Sequence, residues 1–538
     1  MRNSNINPLL LTDGYKTGHH LMYPKGTTLV YSNFTPRSNK YAPKGCDRVV
    51  SFGQQYIMKF LHETFQKDFF DRPKDEVCGE MKRELSLYLN TDYDVAHFEA
   101  LHDLGYLPIH VKSIPEGTLV PIKVPVLTIK NTHPDFYWVT NYLETIISNL
   151  LWKPMTSATI AFQYRKVLTQ WAEKTNPVAK EFVLWQGHDF SMRGMDSVDA
   201  VISSGMGHLT SFFGSDSLPA IYGARKYYGE EGFISGSVNA TEHSVMCAGT
   251  KDDEVGTFRR LLTETYPSGI LSVVSDTWDL WKVCTDHVAT LKEEILARDG
   301  KLVIRPDSGD PVDILCGTIK ENTNSLEGNI EDAIIDNKKD GFDGLYPHQK
   351  GVIELLWDVF GGEINEQGYK VLDPHIGAIY GDSITIDRAN EICKRLEAKG
   401  FASTNVVLGV GSFTYQYNTR DTFGFAMKAT YVEVKHWDVA TERLNESFGK
   451  NANPEWVEGR EIFKDPVTDD GTKKSATGLL SVHNHDGEYV LIDRCTWEGE
   501  SVSSLQTIYK DGEFSNEITL SEIRETLAKQ IELVLEKA

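Results

Sequence analysis

The chain has 538 residues, of which 40% are hydrophobic and 11% aromatic; these are globular values, and the length allows more than one core. Its formal net charge of −22 at pH 7 argues against nucleic acid or an anionic membrane surface as a general partner. An anionic substrate would therefore need a locally basic pocket, so clustered arginine and lysine residues matter more than the total charge.

The cysteines and the N-terminus indicate the cellular compartment. Seven cysteines are scattered along the chain without a C-x-x-C pair, which favours a reducing cytosol over a disulfide framework or a zinc site. The N-terminus has no apolar signal core, and the sequence contains no apolar run of about 18 residues. We therefore expect a soluble, cytoplasmic protein that binds neither membrane nor nucleic acid.

The first part of the chain, residues 1–177, predicts short strands followed by helices. From Phe136 to Trp152 the apolar residues recur at helical spacing, and Pro154 is expected to end this helix. A second helix is expected over about Ala158–Glu173. The predicted strands are Thr28–Tyr31, Arg48–Ser51, Ile109–Lys112 and Val124–Ile129.

From about residue 178 to residue 420 one pattern recurs: a short apolar run ends in Gly, Asp, Ser or Arg, and a helix-like stretch usually follows. In a parallel α/β sheet or barrel, ligands bind at the carboxyl ends of the strands. Five such junctions predict an irregular, TIM-like βα barrel with its functional residues on the rim. The apolar runs are Phe182–Trp185, Leu271–Ser275, Leu302–Ile304, Ile376–Tyr380 and Val406–Leu408.

The last part of the chain, residues 421–538, returns to antiparallel signals. Leu479–His483 and Tyr489–Ile492 flank a turn and predict a hairpin. Thr519 and Glu522 form a capping-box pattern that opens a final amphipathic helix. His483 and His485 resemble a metal-binding pair, but they occupy the tip of the hairpin, and we reject them as ligands.

These segments give an α/β fold class with two domains. A βα barrel is predicted over 178–420, and a second, mainly antiparallel β domain is predicted from the segments 1–177 and 421–538. Two polar stretches, 319–350 and 436–461, interrupt the pattern and are expected to be exposed insertions.

The candidate functional residues carry weak signals when each is taken alone. His243 lies in a short polar stretch beside Glu242, and by its position alone a structural histidine is the better reading. Asp276, Asp307 and Asp382 each follow a predicted strand and could hold Mg²⁺ or sugar hydroxyls, although a lone Asp there is more often a turn or helix-cap residue.

The phosphate-binding candidates are equally open. Gly411 and Ser412 lie in a short Gly-rich turn, Gly409–Ser412, whose backbone N–H groups could surround a phosphate. Arginine and lysine residues could add positive charge, but solvation at the surface is the usual fate of these side chains. The candidates are Arg193, Arg305, Arg420 and Lys428.

Taken together, these residue types suit one reaction, the displacement of diphosphate from an activated ribose. Mg²⁺, arginine and lysine would hold the departing diphosphate. Carboxylates would fix the ribose hydroxyls, backbone amides would bind the 5-phosphate, and an aromatic ring would stack on the incoming base.

The ordered motifs resemble the nicotinate/nicotinamide phosphoribosyltransferase family, a group of type II phosphoribosyltransferases, over nearly the whole chain. The resemblance implies transfer of phosphoribosyl from phosphoribosyl diphosphate to nicotinamide, giving nicotinamide mononucleotide and diphosphate in NAD salvage. The motifs are Leu10–Lys16, His188–Gly194, Ala240–Ser244, Val273–Asp276, Ile304–Gly309, Gly381–Asp382 and Thr419–Asp421.

The resemblance also implies roles for individual residues. The protein would be a homodimer with shared active sites, in which Phe190 and the partner subunit's Tyr15 stack on the two faces of the pyridine ring. Asp216 would bind the carboxamide of the base. His243 would be phosphorylated by ATP. Independently of the resemblance, its neighbour Glu242 is expected to accept a hydrogen bond from one imidazole nitrogen and leave the other nucleophilic. Arg193, Arg305 and His243 would line the diphosphate site, with Arg37, Arg420 and Lys428 arriving across the dimer interface. Asp307, Gly381 and Asp382 would hold the ribose, Gly411 and Ser412 its phosphate, and Asp276 and Asp307 the Mg²⁺.

The chain differs from the family in its phosphate loop, where Ser412 and Phe413 stand in place of glycine and Tyr417 in place of a lysine. Three rival functions remain. A nicotinate phosphoribosyltransferase is the nearest, and Asp216 argues against it because a carboxylate repels the charge of nicotinate. A non-catalytic interaction protein on the same fold and a metal-dependent barrel enzyme for other phosphosugars are the others.

Overall fold

The computed structural model describes residues 6–320, 324–448, 453, 455–464 and 476–536. The chain divides into two compact units, which we describe separately. The sheet unit consists of residues 1–159, 223–231 and 418–530, and the barrel unit of residues 160–222, 232–417 and 531–538. The units change at 159/160 and 417/418, whereas the domain limits at 177/178 and 420/421 stay predictions from the sequence.

The strands, in chain order, are β1 Thr27–Thr35, β2 Arg48–Val50, β3 Ile109–Ser113, β4 Leu119–Pro121, β5 Leu127–Asn131, β6 Gly187–Asp189, β7 Gly214–Ser215, β8 Asn239–Ala240, β9 Ser268–Val274, β10 Asp299–Arg305, β11 Gly362–Ile364, β12 Lys370–Leu372, β13 Ile376–Tyr380, β14 Val406–Val410, β15 Ala426–Trp437, β16 Glu455–Glu461, β17 Leu479–His485, β18 Glu488–Cys495, β19 Gln506–Lys510 and β20 Glu513–Phe514. The helices of seven residues or more are Gln54–Phe65, Lys74–Leu89, Ala96–Leu104, Glu144–Thr175, Val198–Leu209, Pro219–Tyr228, Glu254–Arg260, Leu326–Lys339, Val352–Phe360, Ile386–Ala398, Val439–Phe448 and Leu520–Glu536.

The sheet unit is built on a seven-stranded antiparallel sheet in the order β16-β15-β1-β5-β3-β19-β20. At its centre Tyr31 pairs with Tyr431 on one side and with Lys130 on the other, so segments from both ends of the sequence meet in one sheet. The four strands predicted in the first part of the chain are all present, and the predicted hairpin forms as β17 and β18. This confirms the antiparallel domain made from the two terminal segments.

The helix after β5 differs from its prediction. A short helix, Tyr137–Tyr142, precedes a helix that runs from Glu144 to Thr175, and Pro154 lies inside it. A proline inside a helix removes one backbone hydrogen bond. The helix continues because its neighbours Leu151 and Met155 are fully buried, and because Gly53 has no side chain to collide with the Pro154 ring. Burial therefore outweighs the local cost of the proline.

The barrel unit contains seven parallel strands in the order β7-β6-β14-β13-β10-β9-β8. The two ends of this sheet are joined through Gly236, which bridges to Gly214 of β7. The N–H of Gly236 donates to the carbonyl of Phe213 at 2.9 Å, and the N–H of Ser215 donates to the carbonyl of Gly236 at 3.2 Å. The predicted α/β class with an irregular βα barrel is confirmed.

Four of the five predicted barrel strands are present, and the fifth prediction is wrong. Phe182–Trp185 lies in helical turns, Pro177–Phe182 and Val183–Gln186, and the strand begins at Gly187. The Gln186 side chain, fully buried, donates to the carbonyls of Ser403 and Val406 and so holds these turns in place. A short apolar run carries no periodicity that separates a buried helical turn from a buried strand.

The two polar stretches contain regular elements. The stretch 319–350 includes the helix Leu326–Lys339, and the stretch 436–461 contributes the edge strand β16, paired along β15. The predicted capping box forms, with the N–H of Glu522 donating to Thr519 Oγ1 and the N–H of Thr519 donating to Glu522 Oε2. None of the helices within the described residues is long and apolar enough to cross a membrane.

Candidate functional site

Most of the predicted site residues lie at or just after the carboxyl ends of the parallel strands of the barrel unit. This placement follows from the sequence pattern, because each buried apolar strand stops where a polar residue can reach solvent. The residues at this edge are Phe190 after β6, Asp216 after β7, His243 after β8, Asp276 after β9, Arg305 and Asp307 at the end of β10, Gly381 and Asp382 after β13, and Gly411 and Ser412 after β14.

His243 begins a short helix, His243–Ala248, and its two ring nitrogens face different groups. Nε2 lies 3.7 Å from Asp276 Oδ1 and 4.0 Å from Asp307 Oδ2. Nδ1 lies 3.2 Å from the hydroxyl of Thr277, within hydrogen-bond distance. One ring nitrogen therefore faces two carboxylates and the other faces a hydroxyl.

The expected hydrogen bond between His243 and Glu242 is absent. Glu242 precedes the short helix, and its carboxylate accepts a hydrogen bond from the hydroxyl of Ser244 instead. The imidazole is oriented by Thr277, which lies on a different strand end and carried no signal in the sequence beyond its position after Asp276.

Asp276, which follows β9, is hydrogen-bonded to the loop after β10. Its Oδ2 accepts hydrogen bonds from the backbone N–H groups of Asp307 and Ser308, both at 2.7 Å. Its Oδ1, and Oδ1 of Asp307, are buried oxygens that have no hydrogen-bond partner among the described residues. Carboxylate oxygens left without a donor suit a hard cation.

The donor set at this point fits Mg²⁺ when substrate oxygens and waters complete it. Among the residues that the structure describes, no group of three or more His, Cys, Asp or Glu side chains is arranged to hold a metal ion. Mg²⁺ is commonly held by one or two carboxylates together with substrate phosphates, which is the number that Asp276 and Asp307 offer.

Two glycines let neighbouring chain segments approach these acids. A Cβ on Gly381 would collide with Asp307 Oδ1 and with Arg305 Nε, and a Cβ on Gly411 would collide with Asp382 Oδ1. The loops after β10, β13 and β14 are therefore in direct contact. The structure brings together the residues predicted to hold the ribose and its phosphate.

Ser412 is the first residue of a short helix, Ser412–Gln416, and lies against Gly194. A side chain at position 194 would collide with the Ser412 hydroxyl, so the Arg193–Gly194 turn and the loop after β14 are packed together. Phe413 and Tyr417 are exposed and stack on each other with ring centres 5.1 Å apart. The residues that differ from the family thus form an exposed aromatic pair beside the predicted phosphate loop.

The guanidinium group of Arg305 lies over the aromatic ring of Phe190. The guanidinium carbon of Arg305 lies 4.8 Å from the ring centre, and the ring of His188 lies 4.5 Å away on the same strand end. Arg305 Nε is also 3.7 Å from Asp307 Oδ1. Arg305 therefore stands between the aromatic position predicted for the base and the carboxylates predicted for ribose and metal.

Asp216 is held by two donors. His188 Nε2 lies 2.8 Å and Ser237 Oγ 2.5 Å from the same oxygen, Oδ1. Burial alone would raise the pKa of Asp216, but hydrogen bonds from His188 and Ser237, with Arg305 nearby, hold the pKa below its usual value. The carboxyl group is therefore ionised at neutral pH. Neither His188 nor Ser237 was assigned a role from the sequence; the only signal for His188 is its position two residues before Phe190.

These side chains open into a cavity of about 500 Å³ inside the barrel. Its upper part is lined by His188, Phe190, Asp216, Ser237 and Arg305, and its deeper walls are mostly apolar, including Val303, Ala378 and Val406. A small aromatic ring with one polar substituent matches an upper part that combines rings with a single carboxylate.

The remaining predicted residues, Tyr15, Arg37, Arg420 and Lys428, belong to the sheet unit. Burial lowers the pKa of Arg37, and the positive charge of Arg420 lowers it further. Lys428 Nζ is 3.8 Å from Glu144, and the Tyr15 ring is 65% exposed. The contribution of these four residues to a shared site stays a prediction.

Two family models match the chain. The model described as "Nicotinate phosphoribosyltransferase (NAPRTase) family" matches residues 185–444, and the model described as "Nicotinamide phosphoribosyltransferase, N-terminal domain" matches residues 7–110. The first covers the site residues of the barrel from Phe190 to Ser412.

Full-length relatives and solved structures agree with these matches. A nicotinamide phosphoribosyltransferase of Acinetobacter baylyi is 47% identical over 98% of both chains, and one of Xanthomonas campestris pv. campestris is 31% identical over 96% of this chain and 97% of its own. A nicotinate-nucleotide pyrophosphorylase from Pyrococcus furiosus shares the fold with a TM-score of 0.50 at 14% identity, covering 99% of this chain and 97% of its own. The human nicotinic acid phosphoribosyltransferase does so with a TM-score of 0.50 at 15% identity, covering 96% and 93%.

Proposed function

Since this chain belongs to the nicotinamide phosphoribosyltransferase family, we propose that it transfers the phosphoribosyl group of phosphoribosyl diphosphate to nicotinamide, giving nicotinamide mononucleotide and diphosphate in NAD salvage. The observation that carries the proposal is the ionised Asp216, held in an aromatic-lined cavity beside Arg305. An amide NH₂ group donates to such a carboxylate, so the cavity suits a neutral carboxamide.

The site residues divide the reaction between them. The ring nitrogen of the base attacks the anomeric carbon of the ribose as the bond to diphosphate breaks, and positive charge develops on the sugar. Arg305 and Arg193 attract the negative charge of the leaving diphosphate. Asp307 and Asp382 accept hydrogen bonds from the ribose hydroxyls, and the carboxylates also favour the positive charge on the sugar ring.

The nearest competing function is nicotinate phosphoribosyl transfer on the same fold. Nicotinate would place a carboxylate against Asp216, and two like charges in a partly desolvated pocket repel each other by a few kcal/mol. The rival would be favoured only if Asp216 were neutral. The hydrogen bonds from His188 and Ser237 stabilise its charged form instead.

Replacing Asp216 with asparagine should abolish the preference for nicotinamide. We expect the ratio of kcat/KM for nicotinamide to that for nicotinate to fall by about tenfold to a hundredfold, because the repulsion of nicotinate disappears. Both bases are assayed separately with phosphoribosyl diphosphate and Mg²⁺, and mononucleotide formation is measured. Asp299→Asn, at the exposed start of β10, serves as the control. An unchanged ratio in Asp216→Asn would remove Asp216 from base recognition.

The reaction is proposed to use Mg²⁺ bound by Asp276 and Asp307. When bound, the ion would neutralise charge on the diphosphate group. The two buried carboxylate oxygens that receive no hydrogen bond within the described residues support this assignment. Asp276 would also keep its hydrogen bonds to the loop after β10 through its other oxygen, so that one residue orients the loop and the ion together.

ATP is proposed as a co-substrate that phosphorylates His243. The unprotonated Nδ1 would attack the γ-phosphoryl group of ATP, ADP would leave, and hydrolysis of the phosphohistidine would return the imidazole. Thr277 supports this role because its hydroxyl orients the ring through Nδ1, and this hydrogen bond would be given up as the γ-phosphoryl group arrives. The two carboxylates near Nε2 stabilise positive charge on the ring as the phosphoryl group is transferred.

We further propose a homodimer with two shared sites, in which the partner subunit's Tyr15 stacks on the base bound at Phe190. Exposed apolar side chains near Tyr15 in sequence, Leu21 at 80% and Met22 at 74% exposure, favour a protein partner for this surface. A cytoplasmic location remains part of the proposal and is supported by the seven cysteines, which form no disulfide within the described residues.

The shared site predicts complementation between two inactive chains. Tyr15→Ala and Phe190→Ala should each lose most activity, because each site loses one stacking partner of the base. Mixed and allowed to exchange subunits, they should form hybrids in which one site in two has both rings, and activity should return to a substantial fraction. Mixing Phe190→Ala with itself is the control. Absence of recovery despite verified subunit exchange would contradict shared sites.

A further inference from the structure

Both donors to Asp216 use the same oxygen. His188 Nε2 and Ser237 Oγ converge on Oδ1, at 2.8 Å and 2.5 Å. Within the described residues Oδ2 receives no hydrogen bond. The side chain of Asp216 lines the cavity and is 43% exposed. A carboxylate free to rotate would present either oxygen. This one is oriented, with Oδ1 satisfied and Oδ2 open.

The orientation depends on a ring that is itself fixed. His188 is only 8% exposed, and a Cβ on Gly214 would come within 2.7 Å of its Nδ1, so the backbone of Gly214 lies directly against the imidazole. The backbone N–H of Asp216 donates to the carbonyl of Asp189 at 2.9 Å, which holds the main chain of Asp216 beside β6. Main chain and side chain are therefore both held, from two neighbouring strands.

We propose that His188 and Ser237 are positioning residues that present Oδ2 of Asp216 to the carboxamide, so that the choice between nicotinamide and nicotinate depends on these two side chains as well as on Asp216. The inference rests on the proposed function for the identity of the base. It assigns specificity to two residues that need not contact the reacting atoms.

Loss of either donor has a defined consequence. Without His188 or Ser237, Oδ1 loses a charge-assisted hydrogen bond, the carboxylate rotates, and part of its acceptor capacity turns away from the base. Binding of the amide then weakens, whereas nicotinate meets a less well-placed negative charge. The chemical step is little affected, because diphosphate departure depends on other residues of the rim.

The experiment compares four single variants with the unaltered chain, using nicotinamide and nicotinate in separate assays with phosphoribosyl diphosphate. His188→Phe keeps a ring but removes the donor, and His188→Gln restores an N–H near the position of Nε2. Ser237→Ala removes the second donor from an exposed position. Ser217→Ala is the matched control, since its buried hydroxyl makes no hydrogen bond among the described residues and it follows Asp216 directly.

We expect His188→Phe to raise KM for nicotinamide by about tenfold and to lower the amide-to-acid ratio of kcat/KM by about tenfold or more, with kcat changed by less than about threefold. Ser237→Ala should lower the ratio by about threefold to tenfold. His188→Gln should recover most of the ratio, and Ser217→Ala should leave it unchanged. The recovery separates orientation of Asp216 from a merely structural effect of the substitution.

The inference and the proposed function fail in different ways. If the unaltered chain does not convert nicotinamide, the proposed function falls and the inference falls with it. If it does, and both His188→Phe and Ser237→Ala keep the parent ratio, the inference alone is overturned. Should His188→Phe not fold, as judged by thermal unfolding, the amide-to-acid ratio of kcat/KM in Ser237→Ala alone tests the inference.

Discussion

Replacing Asp307 with asparagine is expected to lower kcat/KM for phosphoribosyl diphosphate by about a thousandfold, since one residue here serves both the ribose and the proposed Mg²⁺. Its Oδ1 is buried without a donor, and Arg305 and His243 lie within 4.0 Å of its carboxylate. An amide of the same shape keeps the volume but removes the negative charge. The measurement is initial-rate formation of mononucleotide and diphosphate, with Mg²⁺ titrated in each assay.

Asp310→Asn provides a matched control in the same turn. Asp310 Oδ1 accepts hydrogen bonds from the N–H groups of Val312 and Asp313 at the start of a helix, and asparagine caps helices about as well. This variant should retain nearly all activity. If Asp307→Asn lost less than about tenfold, both proposed roles of the carboxylate would be contradicted. If the variant needed no more Mg²⁺ than the parent, only its role in binding the ion would be contradicted.

Replacing His243 with alanine should abolish ATP hydrolysis and ATP stimulation of mononucleotide synthesis. The imidazole is the proposed phosphoryl acceptor, and alanine has no nucleophile to take its place. A small ATP-independent synthesis should remain, because the contacts to base and ribose are unaltered. The measurements are ADP release, acid-labile phosphate bound to the chain, and synthesis with and without ATP.

Thr277→Val and His375→Ala refine this result. Thr277→Val removes the hydroxyl that faces Nδ1 and should slow ATP hydrolysis by about tenfold. His375, paired with Asp373 just before β13, lies away from the rim, and its replacement should leave ATP stimulation intact. Acid-labile phosphate on the His243→Ala chain, or undiminished stimulation by ATP, would show that another group accepts the phosphoryl.

The rim of the barrel was predictable because its signals are local. Asp276, Asp307 and Asp382 follow β9, β10 and β13, and each is the second residue after the end of its strand. Parallel strands align their carboxyl ends, so these residues meet without any knowledge of long-range contacts. The close packing of the loops at Gly381 and Gly411 is then possible because a glycine lies at each place where a side chain would collide.

Features that depend on distant contacts were missed. Whether Phe182–Trp185 is strand or helical turn is decided by the buried amide of Gln186, which reaches carbonyls more than two hundred residues away. Whether Pro154 fits inside a buried helix depends also on Gly53, a hundred residues earlier, which leaves room for its ring. The local sequence contains neither partner, and tertiary packing overrides local preference in both cases.

The orientation of the side chains at the site could not be predicted from the sequence for a related reason. Which group faces His243 depends on rotamers at the ends of neighbouring strands, and the adjacent Glu242 was the natural choice from sequence distance alone. Thr277 and Ser237 belong to residue types that occur throughout the chain, so nothing in the sequence distinguishes them. Their importance appears only when the atoms they approach are known.

The closure of the barrel through Gly236 has a consequence for how tightly the base is held. β7 and β8, on either side of the closure, have two residues each, and so short a seam separates at a lower free energy than the seven-residue strands β9 and β10. Asp216 follows β7 directly, Ser237 follows Gly236, and the hydrogen bond between them crosses the seam. Because opening of the seam would break the hydrogen bond that orients Asp216, a base that binds the oriented carboxylate also stabilises the closed barrel.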